Sequence, residues 1–308
     1  MRSVFLAALC YAVSCFAGIE DHYRKLDGFK ICASFEPIDF IYLINLDQRP
    51  ERWNRSADLL LPYGIIPQRF PGIYGWTLTP EELNDIGLQF QHGMWTGREH
   101  VMVFPPEKEG KPEFVFLDGS YYGKACFSGW TVKGTIGCTL AHLSALKDAY
   151  DSGYETIWIL EDDFSLPEDP RSLALFIEEL DAAVGKDGWD MLYTDPMALE
   201  VDRTKEIAPQ IRWMWRPDMP FLNVDFLAQH QDVSPNLRKI GSRMRAHSIV
   251  YRRCGIKRIL DFYRERNNFL PYDQEAALIP GIRMFETRRS VVTAYETNSD
   301  TRYRHFNQ

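Results

Sequence analysis

The sequence predicts an α/β fold with a mainly parallel central sheet flanked by helices. Two observations carry the prediction. Short runs rich in β-branched and aromatic residues alternate with stretches of helical period, the pattern of strands joined by crossover helices. One of those runs, Thr156-Ile157-Trp158-Ile159-Leu160, ends abruptly in Glu161-Asp162-Asp163, and the carboxyl end of a strand is where side chains of such a sheet look into a ligand crevice. With 308 residues, 45% hydrophobic and 14% aromatic, the chain has enough apolar material for a substantial core. It divides into an amino-terminal piece, 1–17, and one domain over 36–308, with an irregular elaboration at about 76–130.

Each element has its own signal. Met1-Arg2-Ser3 is basic and residues 4–17 carry no charge. That stretch is too short to span a bilayer and reads as a secretory signal peptide, the alternative being an uncleaved apolar start. No later segment is long and apolar enough for a membrane helix. Phe40-Ile41-Tyr42-Leu43-Ile44-Asn45-Leu46 is the first buried strand. Pro50 then opens a helix with Asp47 as its cap, and Pro62, Gly64 and Pro67 end it. Many Gly, Pro and aromatic residues follow up to about 130, where only Phe114-Val115-Phe116-Leu117 before Asp118-Gly119 reads as a short strand and turn. Thr135 opens a helix marked by Ile136, Leu140 and Leu143 and ended by Gly153, with Cys138 and His142 four apart on a neighbouring face. After the acidic strand come a helix over 176–184, a strand over 189–193, a strand over 248–251 and a helix over 255–264.

The composition narrows the function. A net charge of −8 with no Lys/Arg stripe excludes nucleic acid as a partner. An anionic nucleotide would then need a metal or local arginines. Three adjoining carboxylates repel one another unless a cation joins them, and a hard divalent ion carrying phosphates is the usual answer. The bland alternative is a solvated turn after a strand. If Cys10 and Cys15 leave with the leader, Cys32, Cys126, Cys138 and Cys254 remain, and their three possible pairings are not distinguished by sequence. Cys138 and Cys254, in apolar surroundings, read as buried free thiols. Asn54-Arg55-Ser56 is a glycosylation sequon.

Four blocks resemble glycosyltransferase family 25, which includes lipooligosaccharide and procollagen galactosyltransferases. They are Ile41-Tyr42-Leu43-Ile44-Asn45-Leu46-Asp47-Gln48-Arg49-Pro50-Glu51-Arg52, Gly134-Thr135-Ile136-Gly137-Cys138-Thr139-Leu140-Ala141-His142-Leu143, Ile159-Leu160-Glu161-Asp162-Asp163, and Pro271-Tyr272-Asp273-Gln274-Glu275 after the helix that begins Gly255-Ile256. Ser299-Asp300-Thr301 resembles a further family element. Thr135, Ala141 and Ile256 depart from the usual Glu, Ser and Ala. The resemblance implies a GT-A type fold and a metal-dependent, inverting transferase. It would move a hexose, UDP-galactose being the family's commonest donor, to a glycan or hydroxylated protein acceptor. The partners are therefore a nucleotide sugar and that acceptor. The localisation implied is the lumen of the endoplasmic reticulum or Golgi for a eukaryotic source, and the cytoplasm or a membrane surface for a bacterial one with an uncleaved leader.

Roles follow from that resemblance. Asp163 is expected to ligate Mn²⁺ or Mg²⁺ directly. Asp162 assists through water or holds the ribose, and Glu161 anchors the turn or supports the metal. Asn45, Asp47 and Arg49 end the first strand where uridine should rest, although Arg49 and Arg52 equally suit a helix surface. His142 is either a hydrogen-bonded core residue or a phosphate contact; His247 is a weaker case, and His305 a late candidate ligand. Asp273, with Glu275 second, is the candidate base that takes the acceptor's proton, the alternative being a capping or salt-bridged acid at a helix start, a role that Pro271 and Asp273 also suit. Trp213 and Trp215 either stack on sugar or pack in the core. Two other functions stay open, a metal-dependent nucleotide-sugar diphosphatase and a non-catalytic carbohydrate-binding protein.

Overall fold

The protein is seen here as a computed structural model that describes residues 18–96, 99–108, 110–198, 214–295 and 299–301. The expected leader, Trp213 and His305 lie outside the described residues. Along the chain run β1 (Phe40–Asn45), α1 (Pro50–Leu60), β2 (Gln68–Pro71), α2 (Pro80–Ile86), β3 (Leu88–Gln89), β4 (Val101–Val103), β5 (Glu113–Val115), β6 (Ala125–Ser128), α3 (Lys133–Asp151) and β7 (Thr156–Glu161). There follow β8 (Phe164–Ser165), α4 (Leu173–Val184), β9 (Met191–Tyr193), α5 (Val224–Leu227), β10 (His230–Asp232), β11 (Leu237–Ile240), β12 (Ser248–Arg252), α6 (Arg253–Arg266), α7 (Tyr272–Glu275), β13 (Met284–Thr287) and β14 (Thr293–Ala294).

Eight strands form the central sheet in the order β10-β11-β13-β9-β12-β7-β1-β2. Its pairings make β2, β1, β7, β9, β13 and β10 run one way and only β12 and β11 the other, so the sheet is mostly parallel in sense. Two apolar layers cover it, and the pleat divides them. Phe40, Tyr42, Ile44, Ile157 and Ile159 face α3 and α6. Ile41, Leu43, Trp158 and Leu160 face α1 and α4. Burial on both faces explains why β1 and β7 read as continuous apolar runs without alternation. Parallel register sets Ile44 beside Glu161, so the polar ends of β1 and β7 emerge together.

The segment expected to be irregular carries order of its own. α2 precedes a four-stranded sheet, β3-β6-β4-β5, in which every pairing is antiparallel. Strands of two to four residues are too short to show a period-two pattern, and intervening glycines and prolines masked them. Two local expectations change. Arg49, not Asp47, occupies the cap position of α1, without a side-chain cap bond. α3 starts at Lys133 and runs through Gly134 and Gly137. Those glycines allow backbone contact, since a Cβ on Gly134 would lie 2.2 Å from Thr301 O and one on Gly137 2.4 Å from Ile73 O. The four cysteines Cys32, Cys126, Cys138 and Cys254 are free. Among the described residues no helix is long and apolar enough to cross a membrane.

Candidate active site

The acidic end of β7 opens into a cleft of about 680 Å³. Its walls come from the end of β1 (Ile44, Leu46), the loop Gly72-Ile73-Tyr74-Gly75, the start of α3, and Ser299-Asp300-Thr301. The three carboxylates diverge. Glu161 points towards α3, where its Oε1 meets His142 Nε2 at 2.9 Å and accepts the Cys138 thiol at 3.6 Å. Burial works against its charge, but His142 prevails and holds this carboxyl below the usual range. The Cys138 thiol moves the other way, pushed well up by burial and then by the charge of Glu161. The His142 ring is wholly buried and stacks on Tyr272, with centroids 4.7 Å apart.

Asp162 points towards α1. Its Oδ2 accepts Asn45 Nδ2 at 2.6 Å, its Oδ1 lies 3.5 Å from Arg52, and its carbonyl accepts Ser56 Oγ. Burial still lifts this carboxyl to about 6, against the pull of Asn45 and Arg52. Asp163 is different. Its Oδ1 is buried and finds no hydrogen-bond partner among the described residues. Burial, then the charges of Glu161 and Asp162, raise this carboxyl to about 7. A buried carboxylate oxygen without a donor is costly unless a cation or proton reaches it.

The expected nucleotide contacts are largely engaged by protein. Asn45 is almost wholly buried, holding Asp162 and Arg49 O while its own Oδ1 accepts Arg69 Nε. Asp47 bridges Arg69 and Arg24 on the surface, away from the cleft lining. Arg49 grips Asp300 with two bonds of 2.9 and 2.6 Å, and Arg52 adds a contact at 3.3 Å. Asp300, with Trp76 Nε1 on its carbonyl, thus fastens the 299–301 strip over α1. Asp300 was visible only within the Ser299-Asp300-Thr301 element and had no assigned role, because a partner 251 positions away leaves no local pattern.

The two candidate bases separate although they lie two residues apart. Asp273 is half-buried, its Oδ2 accepting Arg245 N at 2.6 Å and its Oδ1 Gln274 N at 2.9 Å. Arg245 reaches it from a left-handed backbone, φ 71°, a strained conformation for a residue with a Cβ. Burial raises the Asp273 carboxyl, and Glu161 adds to the rise. Glu275 corrects the expectation. It is fully buried, ion-paired with Arg216, and accepts Asn268 Nδ2, Phe269 N and Leu270 N. Its carboxylate shapes the turn before α7; neither it nor Asp273 is part of the described cleft lining. His247 sends its carbonyl to Glu161 N while its ring lies beside Asp195. Trp215 is packed edge-on against Phe269, the core alternative.

Two donor sets therefore adjoin in the cleft. One is the unpartnered oxygen of Asp163 beside Asp162. The other is Cys138, His142 and Glu161, whose ligating atoms lie within 4.8 Å of one another. A profile described as "Glycosyltransferase family 25 (LPS biosynthesis protein)" matches residues 38–185, the stretch that holds β1, α3 and the acidic end of β7. The chain belongs to glycosyltransferase family 25. It is 26% identical over 168 residues to a "Glycosyltransferase 25 family member" of Aedes aegypti, covering 54% of this chain and 23% of that protein. It is 23% identical over 190 residues to "Procollagen galactosyltransferase 1-A" of Xenopus laevis, covering 61% and 26%. A Drosophila melanogaster family member is 27% identical over 173 residues, covering 56% and 23%. The match thus spans about a quarter of the length of these curated relatives. Family membership agrees with a mostly parallel sheet whose polar strand ends converge on one cleft.

Proposed function

We propose that the chain is a metal-dependent, inverting glycosyltransferase that moves a hexose from a nucleoside diphosphate to a glycan or hydroxylated protein acceptor, with UDP-galactose the favoured donor. The observation that carries this reading is the buried, unpartnered Asp163 Oδ1 at the mouth of β7. Oxygen donors suit Mn²⁺ or Mg²⁺, and the Cys138 thiol, kept protonated by its burial, is the weaker donor. Asp163 would hold the ion, with Asp162 alongside and Glu161 fixed behind by His142. Bound there, the ion supplies positive charge to the donor's diphosphate. The remaining work belongs to the chain. Gly72, Gly75 and Gly134 bring backbone close to the donor side of the cleft. Asp273 takes the acceptor hydroxyl's proton as the new C–O bond forms and the bond to the diphosphate breaks. Its raised carboxyl makes it a better base than an ordinary aspartate. Entry into the secretory route by residues 1–17 accompanies this reading.

The test is UDP release from a panel of UDP-sugars with Mn²⁺, comparing the wild type with Asp163→Asn. The expected result is slow hydrolysis of one donor, abolished by EDTA and by the substitution. Release of sugar phosphate and UMP instead would identify a diphosphatase and overturn the transferase reading. So would an absence of donor binding by folded protein.

A further inference from the structure

Beyond the catalytic cleft, the small sheet carries a second hollow. It encloses about 760 Å³ and is lined by Glu99, His100, Phe114, Ser128, Gly129, Trp130 and Trp215. We infer that this groove is an acceptor-side subsite that binds an uncharged saccharide, an inference that rests on the transferase reading for the word acceptor but not for the binding itself.

The first argument is exposure. Phe114 is 55% exposed and Trp130 56%, and both line the groove. Phe116, Trp95, Tyr122 and Phe221 are also exposed nearby in sequence or packing. Two half-exposed aromatic rings lining one hollow mark a binding face, because a monomer gains nothing by leaving them in water. The second argument is chemistry. A sugar ring offers apolar C–H faces to aromatic rings and hydroxyls to polar groups, and this groove sets both together. Glu99 sits among the rings, held there by Trp215 Nε1 donating to its Oε2 at 3.0 Å. His100 lies tilted against Phe116, with ring centroids 3.8 Å apart. A carboxylate at this position disfavours phosphate or uronate, so the ligand is a neutral sugar.

The third argument is position. Ser128 N and Thr131 Oγ1 both donate to Phe269 O at 2.8 Å. Residues 128–131 lead straight into Gly134 on the cleft wall. Phe269, which also packs against Trp215 at 5.3 Å, precedes Asp273 by four residues, at most about 14 Å of extended chain. The wall of the groove is therefore fastened to the segment that carries the proposed base. Gly129 keeps this corner tight, since a Cβ there would lie 3.1 Å from His100 O.

The experiment uses the full chain and a panel of neutral disaccharides, lactose, cellobiose and maltose, titrated while following tryptophan fluorescence. In parallel, acceptor-free UDP-sugar hydrolysis reports on the donor site. One disaccharide is expected to saturate the wild type, Trp130→Ala to bind it at least tenfold more weakly, and Trp130→Tyr to restore most of the affinity. Hydrolysis should stay within twofold in all three proteins. Equal saccharide affinity in the wild type and Trp130→Ala would overturn the inference. So would saturation by a hydroxylysine-containing peptide with no response to any disaccharide. Saturable disaccharide binding in a wild type that hydrolyses no donor would uphold the groove and refute the transferase reading.

Discussion

Replacing Glu275 by Gln separates two roles that the sequence assigns to neighbouring acids. Both partners of the Glu275–Arg216 pair are wholly inaccessible to solvent. Burial works against the Arg216 guanidinium, yet Glu275 and Asp218 hold it charged. Breaking a buried pair costs about 3–5 kcal/mol, and the lower end applies here because Asp218, 2.9 Å from Arg216 Nε, still compensates part of the charge. Gln keeps the shape but replaces one acceptor oxygen with an NH₂. That group must face either Arg216 with the amides of Phe269 and Leu270, on the Oε1 side, or Asn268 Nδ2, on the Oε2 side, all of them donors. The lost hydrogen bond adds about 1 kcal/mol. Against a typical total of about 5–15 kcal/mol, this is a large fraction of the fold's stability. The midpoint of thermal unfolding should fall by roughly 10 °C, at about 2–4 °C per kcal/mol for a large domain. Asp273→Asn should behave oppositely. It removes a carboxyl that burial already disfavours and gives up one backbone acceptor, at about 1 kcal/mol, so the midpoint should fall by only a few degrees while transfer falls by about 100-fold or more. The assay pairs thermal melts with UDP release measured well below both midpoints and corrected for folded fraction. A Glu275→Gln protein that melts like the wild type and has lost turnover would refute the assignment and make Glu275 the base.

Two more predictions concern the site's surroundings. Asp195 is buried against Arg243 and lies 3.2 Å from His247 Nε2. Burial would raise its carboxyl, but His247 and Arg243 bring it from 3.8 down to about 2. A depressed folded value stabilises above the unfolded value and is lost as pH falls through the folded one. Stability of about 2.5 kcal/mol should therefore disappear between about pH 4 and pH 2, and Asp195→Asn should flatten that limb of the melting curve against pH. An unchanged acid limb would contradict the pairing. Gly134→Ala gains about 1 kcal/mol of helix propensity, but its Cβ would sit 2.2 Å from Thr301 O, a backbone atom that cannot swing aside. The clash should win by about 1–3 kcal/mol, pushing the Asp300 strip off α3 and raising the donor KM at least tenfold. An unaltered KM would show that the 299–301 strip does not shape the donor site.

Legibility in the sequence followed element length and the range of contacts. β1, β7 and α3 were plain because each is a continuous apolar run or a long periodic one. The small sheet was not, because β3 and β4 have two and three residues and their partners lie across glycine-rich turns. Asp47 looked like a cap because it precedes Pro50, yet Arg69 on β2 takes its carboxylate instead. That pairing depends on the β1–β2 register, which no local signal carries. Asp273 and Glu275 could not be told apart by spacing alone. α7 is a single turn, and two steps around it carry one acid towards Arg245 and the other towards Arg216.

The acidic triplet was more decipherable than its three identical-looking charges imply. Successive residues at a strand end alternate between faces, so Glu161 follows Ile157 and Ile159 towards α3, and Asp162 follows Trp158 and Leu160 towards α1. Each face already has its own polar partner in the neighbouring motif. Cys138 and His142, one helical turn apart on α3, meet Glu161. Asn45, last in β1 and on the α1 side of its pleat, meets Asp162. Asp163 lies one residue beyond both, where neither motif supplies a donor, and its Oδ1 has no hydrogen-bond partner among the described residues. The flanking blocks thus do more than mark a family. By satisfying two acids they leave the third available, which is the division of labour a cation site at a strand end requires.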